Sequence, residues 1–318
     1  MKKVILYEPS IGSDNIGDQI IVDGVKTALN KYLEDAFVIE LPTHTPLSNR
    51  YLHYLGSANL KLVCGSNIIA GRVNSILHLN QWMIGSAFLS AGPVVLMGVG
   101  AQKYGQKVSI PTRLIYRMLF EKGIIHSVRD SYTEDMLKKN GFKNVINTGC
   151  PTLWGITQEV QEKIPKLKAR RCVFTLTDYQ KDSERDLYMI NAIKKHYDEV
   201  FFWPQGNGDY DYYLELNKGE HGISLVAPNL SSYDQLLESG DIDYIGTRLH
   251  GGIRALQKKI RTIIIGIDNR AIELNKDFGL PVLSKDNILM LEEKIETENI
   301  ICINLPYANI EMFMKQFV

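Results

Sequence analysis

The sequence predicts an α/β fold made of two Rossmann-like domains whose parallel sheets face a central cleft. Short apolar runs bounded by turn residues alternate with longer amphipathic segments, which is typical of βα units. The chain has 318 residues, which at about 100–200 residues per domain indicates two domains rather than one. Hydrophobic residues make up 45% and charged residues 23%, and these proportions exclude a disordered or low-complexity chain.

The first half of the chain contains six strand candidates and three amphipathic helices. The strands are predicted over Val4–Glu8, Ala36–Leu41, Leu60–Cys64, Val94–Val99, Ile124–Val128 and Asn144–Asn147. The helices are predicted over Asp18–Tyr32, Pro111–Glu121 and Tyr132–Lys139, the last with Asn140-Gly141 as its C-cap. A buried helix is also expected over residues 74–91, before a turn at Gly92-Pro93. Polar residues interrupt this uncharged stretch, so it lacks the ~18 apolar residues of a membrane span.

The same alternation resumes after a charged stretch, residues 158–171, which is predicted to link a first domain (1–157) to a second (172–304). Strands are predicted over Cys172–Leu176, Glu199–Trp203, Ile223–Val226, Ile242–Ile245 and Thr262–Ile265. Helices are predicted over Ser183–Tyr197, Tyr210–Asn217, Ser231–Glu238, Gly251–Lys258 and Ala271–Phe278. Within residues 305–318, the amphipathic segment Asn309–Phe317 is expected to pack back on the first domain.

The charge balance and the cysteines indicate a cytoplasmic protein without a large nucleic-acid-binding face. Thirty-six Lys and Arg residues balance 36 Asp and Glu residues, which argues against a nucleic-acid-binding protein with a large basic face. The four cysteines lie far apart, without CxxC pairs or nearby histidines at metal-ligand spacing. We interpret them as reduced thiols of a cytoplasmic protein.

The most informative loop follows the strand candidate that ends near Ile245. It carries Arg248 and His250 directly before a helix predicted to begin around Gly251. A helix N-terminus favours an anion, arginine offers a planar fork to phosphate or carboxylate, and histidine can donate a proton near neutral pH. In the alternative interpretation, Arg248 forms an ion pair between domains and His250 caps the helix.

Three further loops follow strands, where ligands of parallel sheets bind. Arg129 is expected to face the cleft and bind an anion, and Arg270 follows the polar pair Asp268-Asn269. The loop after the first strand, residues 12–19, contains Gly17 for close backbone approach, beside Asn15. Asp18 there either caps the helix or orients a sugar hydroxyl. His78 is a weaker acceptor-site candidate, and the aromatic residues of 203–213 either stack on sugars or belong to the core.

These loops, in this order, resemble the polysaccharide pyruvyl transferase family over roughly residues 4–283. The matching segments are Asn15-Ile16-Gly17-Asp18, Val128-Arg129-Asp130-Ser131-Tyr132, Thr148-Gly149-Cys150-Pro151, Arg248-Leu249-His250-Gly251 and Ile267-Asp268-Asn269-Arg270. The family is similar in fold to two-domain GT-B glycosyltransferases. Its members move the enolpyruvyl unit of phosphoenolpyruvate onto two sugar hydroxyls and release phosphate.

The resemblance implies roles for individual residues. His250 would be the general acid. Arg129, Arg248 and Arg270, with Leu249 and Gly251, would bind the donor, whereas Asn15, Gly17, Asp18, Asn67, His78, Asp268 and Asn269 would line the acceptor site or the cleft. It implies a donor side in the second domain and an acceptor side in the first. The acceptor would be a sugar of a cell-surface polysaccharide or its lipid-linked precursor, at the inner face of the membrane, with no metal or other cofactor.

The chain departs from the family pattern at three places. It has Cys150 where aspartate is common, Arg270 where lysine is common, and Cys64-Gly65-Ser66-Asn67 where a glycine-rich turn is frequent. A thiol carries no negative charge at neutral pH unless it ionises, so these departures bear on acceptor recognition and on pyruvyl transfer itself rather than on the donor loop. Two alternatives therefore stay open: a glycosyltransferase that uses a nucleotide sugar, and a relative that binds ligand without catalysis.

Overall fold

The computed structural model describes residues 1–47, 55–73, 78–84, 91–217 and 221–317. The chain divides into two compact units. The first unit comprises Met1–Ser13, Ile21–Trp154 and Leu305–Val318, and the second comprises Asp14–Ile20 and Gly155–Asn304. The chain therefore passes from one unit to the other within its first helix.

The first unit is built on a parallel sheet. The strands of the unit are β1 (Lys2–Glu8), β2 (Ala36–Pro42), β3 (Leu60–Cys64), β4 (His78–Leu79), β5 (Trp82–Met83), β6 (Val95–Met97), β7 (His126–Val128) and β8 (Val145–Asn147). Four of them pair in the parallel order β2-β1-β3-β6, and β7 pairs with β8, also in parallel. A parallel bridge between Val99 and Val128 continues the sheet from β6 to β7. The strands predicted for this half are therefore present, within a few residues of the predicted bounds.

Helices cover both faces of this sheet. They are α1 (Gly17–Ala28), α2 (Asn30–Leu33), α3 (Ile110–Leu119) and α4 (Ser131–Lys139). Along β1, Ile5 and Tyr7 belong to one core whereas Val4 and Leu6 belong to another. This alternation explains why the run is apolar throughout, because both faces of a parallel sheet are buried.

The helix predicted over residues 74–91 is wrong over residues 78–84, although Ala91 is helical. Strands β4 and β5 form an antiparallel pair there, and the intervening Asn80 has a φ of 46°. Asparagine tolerates this left-handed conformation, so a tight turn replaces the helix. Residues 74–77 and 85–90 lie outside the described residues.

The second unit is a six-stranded parallel sheet. Its strands are β9 (Arg171–Thr175), β10 (Glu199–Phe202), β11 (Ile223–Leu225), β12 (Ile242–Gly246), β13 (Thr262–Gly266) and β14 (Val282–Ser284). The order β11-β10-β9-β12-β13-β14 is that of a Rossmann sheet. Sequence analysis missed β14, a three-residue edge strand.

Seven helices described in the second unit precede, separate and follow its strands along the chain. They are α5 (Gln158–Glu162), α6 (Ser183–His196), α7 (Asp209–Asn217), α8 (Leu230–Glu238), α9 (Leu249–Gln257), α10 (Asn269–Phe278) and α11 (Leu291–Glu296). A last helix, α12 (Tyr307–Met314), groups with the first unit, where Phe313 and Phe317 join the core that contains Val4 and Leu6. Within the described ranges, no helix has the length and hydrophobicity to cross a membrane.

Two boundaries differ from the predicted ones. Residues 158–171 group with the second unit, because Gln161 exchanges hydrogen bonds of 2.9 and 2.7 Å with the backbone of Ile303. Residues 14–20, predicted to belong to the first domain, also group with the second unit. Their backbone is hydrogen-bonded there, Ile16 N–H donating to the Gln205 carbonyl at 2.9 Å.

Candidate active site

Polar side chains gather at the carboxyl edge of four adjacent strands in the second unit, β10, β9, β12 and β13. We call this group the Arg248 centre; it comprises Asp178, Tyr179, Gln205, Asp209, Arg248, His250, Asp268 and Arg270. Each of the four strands contributes at least one member from the loop or helix start that follows it. The loops after β9 and β12 flank the point where the strand order reverses, which is where Rossmann sheets bind their ligands.

Arg248 lies in the middle of this centre and is only 4% exposed. Its Nε donates to Asp209 Oδ2 at 2.9 Å and to the Leu176 carbonyl at 3.1 Å. Its Nη2 donates to the other Asp209 oxygen and to Asp178 Oδ1, the latter at 2.9 Å. Nη1 makes no hydrogen bond with any described residue. The guanidinium is therefore fixed on one side and keeps two N–H groups on the other.

The ion pair between Arg248 and Asp209 is buried. Burial opposes the charge of the arginine, but Asp209 outweighs it and raises the pKa of Arg248 above its usual value. Burial also raises the pKa of Asp209, against the stabilising effect of Arg248 and of the Gly206 and Asp178 amides. Those amides donate to Asp209 at 2.7 and 3.1 Å. Arg248 thus forms an ion pair, but the predicted alternative of a pair between domains is wrong, because both carboxylates belong to the same unit as the arginine.

Tyr179 connects the two arginines of the centre. The guanidinium of Arg248 lies over its ring, 5.1 Å from the centroid, and Nη2 of Arg270 donates to its hydroxyl. Arg270 also donates from Nε to Asp268 Oδ2 at 2.8 Å. Burial disfavours this charge, but Asp268 and Tyr179 hold the pKa of Arg270 above its usual value. Asp268 in turn caps α10, which begins at Asn269, by accepting from Arg270 N at 3.0 Å.

His250 is the second residue of α9 and is 5% exposed. The sequence predicted a helix start around Gly251, but α9 begins at Leu249 with Arg248 as its N-cap. The side chain of Arg248 makes no capping hydrogen bond, so the first amides of α9 are not satisfied by it. The absence of a Cβ at Gly251 lets the helix approach Gln205 and the Tyr244 hydroxyl, which a Cβ would meet at 3.0 and 3.2 Å.

Residues 15–18 contact the Arg248 centre through Gln205. Asn15 Oδ1 accepts hydrogen bonds from Gly17 N at 3.0 Å and from Gln205 Nε2 at 2.9 Å. A Cβ on Gly17 would overlap Gln205, so glycine is needed for this contact. Asp18, expected either to cap the helix or to orient a sugar hydroxyl, lies inside the first turn of α1 and is 5% exposed. Asn15 Oδ1, rather than Asp18, accepts from the amide of Gly17.

The first unit holds a second group of predicted residues, around Arg129. Arg129 is 4% exposed and donates from Nη2 to Asn67 Oδ1 at 2.6 Å and from Nε to Asp130 Oδ2 at 3.2 Å. A Cβ on Gly100 would overlap the guanidinium, so this glycine makes room for it. Asp130 caps α4 by accepting from Thr133 N at 2.7 Å.

Ser66, next to Asn67, has a φ of 68°, and Gln81 holds this loop in place by accepting from Asn67 N at 2.9 Å.

Cys150 is buried, and its Sγ accepts from the Thr152 hydroxyl at 3.0 Å. Burial raises the pKa of Cys150 although Thr152 and Arg129 oppose the shift, so it remains a thiol at neutral pH. For His78 the structure describes only the backbone, in β4.

Sequence analysis missed Asp178, Tyr179, Gln205 and Asp209. The signal for the last two was a glycine-rich turn after a strand, Pro204-Gln205-Gly206-Asn207-Gly208-Asp209. The aromatic residues around this turn are mostly core: Trp203 stacks on Tyr233 at 3.8 Å, and Tyr212 and Tyr213 are buried.

Comparisons with known proteins bear on the family and on the fold. A family model described as polysaccharide pyruvyl transferase matches residues 15–269. Comparison with curated proteins gives no significant match.

Solved structures show the same fold. The UDP-GlcNAc 2-epimerase of Methanocaldococcus jannaschii, solved with UDP-GlcNAc and UDP, is 11% identical with a TM-score of 0.55, over 99% of this chain and 98% of that one. The Neisseria meningitidis UDP-GlcNAc 2-epimerase is 12% identical with a TM-score of 0.53, over 94% and 95%. Such identities show the fold alone, and they confirm the predicted fold class with its resemblance to GT-B proteins.

Proposed function

Since the chain belongs to the polysaccharide pyruvyl transferase family, we propose that it transfers the enolpyruvyl unit of phosphoenolpyruvate to two hydroxyls of one sugar. The product is a cyclic pyruvate ketal on a cell-surface polysaccharide or on its lipid-linked precursor. The observation that carries this proposal is the position of Arg248 and His250, which lie together at the N-terminus of α9 above a Rossmann sheet.

The donor anion binds at the Arg248 centre. Nη1 of Arg248 has two N–H groups that no described residue uses, and the first amides of α9, from Leu249 to Gly251, add partial positive charge. Asp209 holds the fork of Arg248 in place. The side chain of Asp178 is 35% exposed, so a donor oxygen can replace it at Nη2. Arg270 supplies the second cation.

Arg129 is the corresponding anion-binding arginine of the first unit. Its guanidinium is fixed by Asn67 and Asp130. We propose that it binds an anionic group of a substrate, and that Asn67 orients it.

His250 supplies the proton that starts the reaction. It protonates the methylene carbon of phosphoenolpyruvate, which leaves an oxocarbenium-like centre at the neighbouring carbon. A sugar hydroxyl attacks that carbon, and its proton returns to His250. Phosphate then departs as the C–O bond breaks, the second hydroxyl closes the ring, and its proton leaves with phosphate. A positioned acid contributes about 10²–10⁴-fold to such a step. This scheme uses no metal ion, and dialysis against EDTA is expected to leave the rate unchanged.

Calorimetric titration of phosphoenolpyruvate tests this assignment. Arg248→Ala is expected to abolish binding, whereas His250→Ala keeps binding and loses turnover. Arg170→Ala, which removes an arginine that is 66% exposed in the same unit, serves as the matched control and keeps both.

The same titration separates the alternatives. Binding of a nucleotide diphosphate but not of phosphoenolpyruvate would replace the proposal by a glycosyltransferase. Binding of phosphoenolpyruvate without turnover on any saccharide acceptor would indicate a non-catalytic relative.

A further inference from the structure

The charges of the chain are unevenly distributed along the sequence. No aspartate or glutamate occurs between Glu40 and Glu121, although the whole chain has equal numbers of acidic and basic residues. Seven basic residues occur in that interval: Arg50, Lys61, Arg72, Lys103, Lys107, Arg113 and Arg117. The interval lies entirely in the first unit, so this unit carries a local excess of positive charge.

Three of these cations line one pocket. Arg72, Lys103 and Lys107 surround a cavity of about 320 Å³ together with Gln102 and Gln106. This volume is within the range of small-molecule sites. None of the three cations is paired with a carboxylate among the described residues, and the undescribed segments 48–54, 74–77 and 85–90 of the first unit contain no acidic residue.

The walls of the pocket are hydrogen-bonded to each other and to the core. Gly71 N donates to Gln106 Oε1 at 2.7 Å, and Ser109 N donates to the Gly71 carbonyl at 2.9 Å. Ala70 is tied through both its amide and its carbonyl to the Tyr116 hydroxyl, at 2.8 Å each. Tyr116 is fully buried. The backbone that carries the cations is therefore preorganised, which lowers the cost of binding.

The pocket lies beside the Arg129 group. Its two walls follow β3 and β6, and a parallel bridge joins them at Ile69 and Ala101. The carbonyl of Ala101 also accepts from Arg129 Nη2, at 3.4 Å. Pocket and Arg129 thus share the carboxyl edge of the same sheet.

We propose that this pocket binds the diphosphate group of a diphosphate-linked saccharide acceptor. The identification as an acceptor rests on the proposed function, whereas the preference for a diphosphate rests on the pocket. Three cations without a carboxylate partner in the described part of the chain are matched by a ligand that concentrates several negative charges in a small volume. Because these side chains are exposed to solvent, the affinity depends strongly on ionic strength.

Titration with inorganic pyrophosphate tests the pocket directly. The variant Lys103→Ala/Lys107→Ala is expected to weaken binding by about tenfold or more, equivalent to about 1.4 kcal/mol. The matched control is Lys122→Ala/Lys143→Ala, which removes two exposed lysines from a different pocket of the same unit. It is expected to bind like the wild type. Equal losses in both variants would show a diffuse field of charge and overturn the proposal.

Two further measurements distinguish a lipid headgroup from a diphosphate as the ligand, and distinguish failure of the pocket proposal from failure of the proposed function. If the pocket variant loses binding to phosphatidylglycerol vesicles but keeps its affinity for pyrophosphate, the surface binds lipid headgroups and the proposal fails. Each titration is repeated with excess phosphoenolpyruvate, which is expected not to displace pyrophosphate. If the protein binds pyrophosphate in the pocket but does not bind phosphoenolpyruvate, the proposal for the pocket stands and the proposed function fails. If it binds phosphoenolpyruvate but not pyrophosphate, only the proposal for the pocket fails.

Discussion

Arg248 and Asp209 form a buried ion pair in which both carboxylate oxygens accept from the guanidinium. Asp209 is fully buried, and two backbone amides also donate to it. The pair lies 39 residues apart in sequence, on the loops that follow β10 and β12, which flank β9 in the sheet. A carboxylate with four donors fixes the direction in which Arg248 presents its remaining N–H groups.

Removing that carboxylate is expected to destabilise the protein. Asp209→Ala leaves the charge of Arg248 buried without its main partner, which costs about 3–5 kcal/mol. Asp178→Ala, at a more exposed partner of the same arginine, is expected to cost about 1 kcal/mol or less. Denaturant unfolding of both variants checks this difference. Equal losses would mean that the buried pair contributes no more than a surface one.

The glycines beside the two arginines are expected to be essential for substrate binding. A Cβ on Gly206 would overlap Nη2 of Arg248, and a Cβ on Gly100 would overlap the guanidinium of Arg129. Gly206→Ala and Gly100→Ala therefore displace these groups, and a shift of about 1 Å can lower turnover by about 10²-fold. Gly155→Ala is the control, because a Cβ there meets nothing within 4 Å. Steady-state kinetics on the three variants test the contacts; unchanged rates for Gly206→Ala would contradict them.

His126 is expected to make stability depend on pH. Its Nδ1 accepts from Leu96 N at 3.2 Å, and its Nε2 lies 3.0 Å from the Glu121 carbonyl, so the neutral ring with a proton on Nε2 satisfies both. Burial lowers the pKa of His126 to about 4. An unfolded chain, with a histidine pKa near ~6.5, binds the proton first as the pH falls. Stability therefore decreases from about pH 6.5 to about pH 4.

The size of this effect is about 3 kcal/mol, from 1.36 kcal/mol per pKa unit. His126→Asn offers an acceptor to Leu96 and cannot be protonated in this range. Unfolding free energies measured at several pH values are expected to show a smaller slope between pH 6.5 and pH 4 in the variant. The same slope in both proteins would assign the pH dependence to other groups.

Sequence patterns predict the sheets better than they predict the site. The centres of β1 (Val4–Tyr7) and β13 (Ile263–Ile265) are apolar throughout because helices cover both faces, and that pattern is visible in the residues. The pair Arg248–Asp209 is not visible, because it depends on which loops the strand order brings together. Residues 14–20 were assigned to the wrong unit for the same reason: hydrogen bonds to Gln205, about 190 residues away, decide their position.

The four cysteines are expected to differ sharply in reactivity. Cys64, Cys150 and Cys172 are buried, and burial raises the pKa of each thiol; Cys302 is exposed. Because the thiolate is the reactive form, iodoacetamide is expected to alkylate the native protein once, at Cys302. Peptide mass spectrometry after labelling identifies the site. Rapid labelling of Cys150 would show an ionised thiol beside Arg129, and Cys150 could then supply the negative charge of the aspartate that is common at this position.

Tyr179 offers a way to separate the two arginines of the second unit. Tyr179→Phe removes the hydroxyl that accepts from Arg270 but keeps the ring beneath Arg248. Tyr179→Ala removes both contacts, and a cation–π contact of this kind contributes about 0.5–2 kcal/mol. If both arginines bind phosphoenolpyruvate, its affinity falls modestly in the Phe variant and about tenfold in the Ala variant, as calorimetry can measure. Because Tyr179 is 53% exposed, neither change disturbs the core, and equal affinities in all three proteins would place the donor away from this ring.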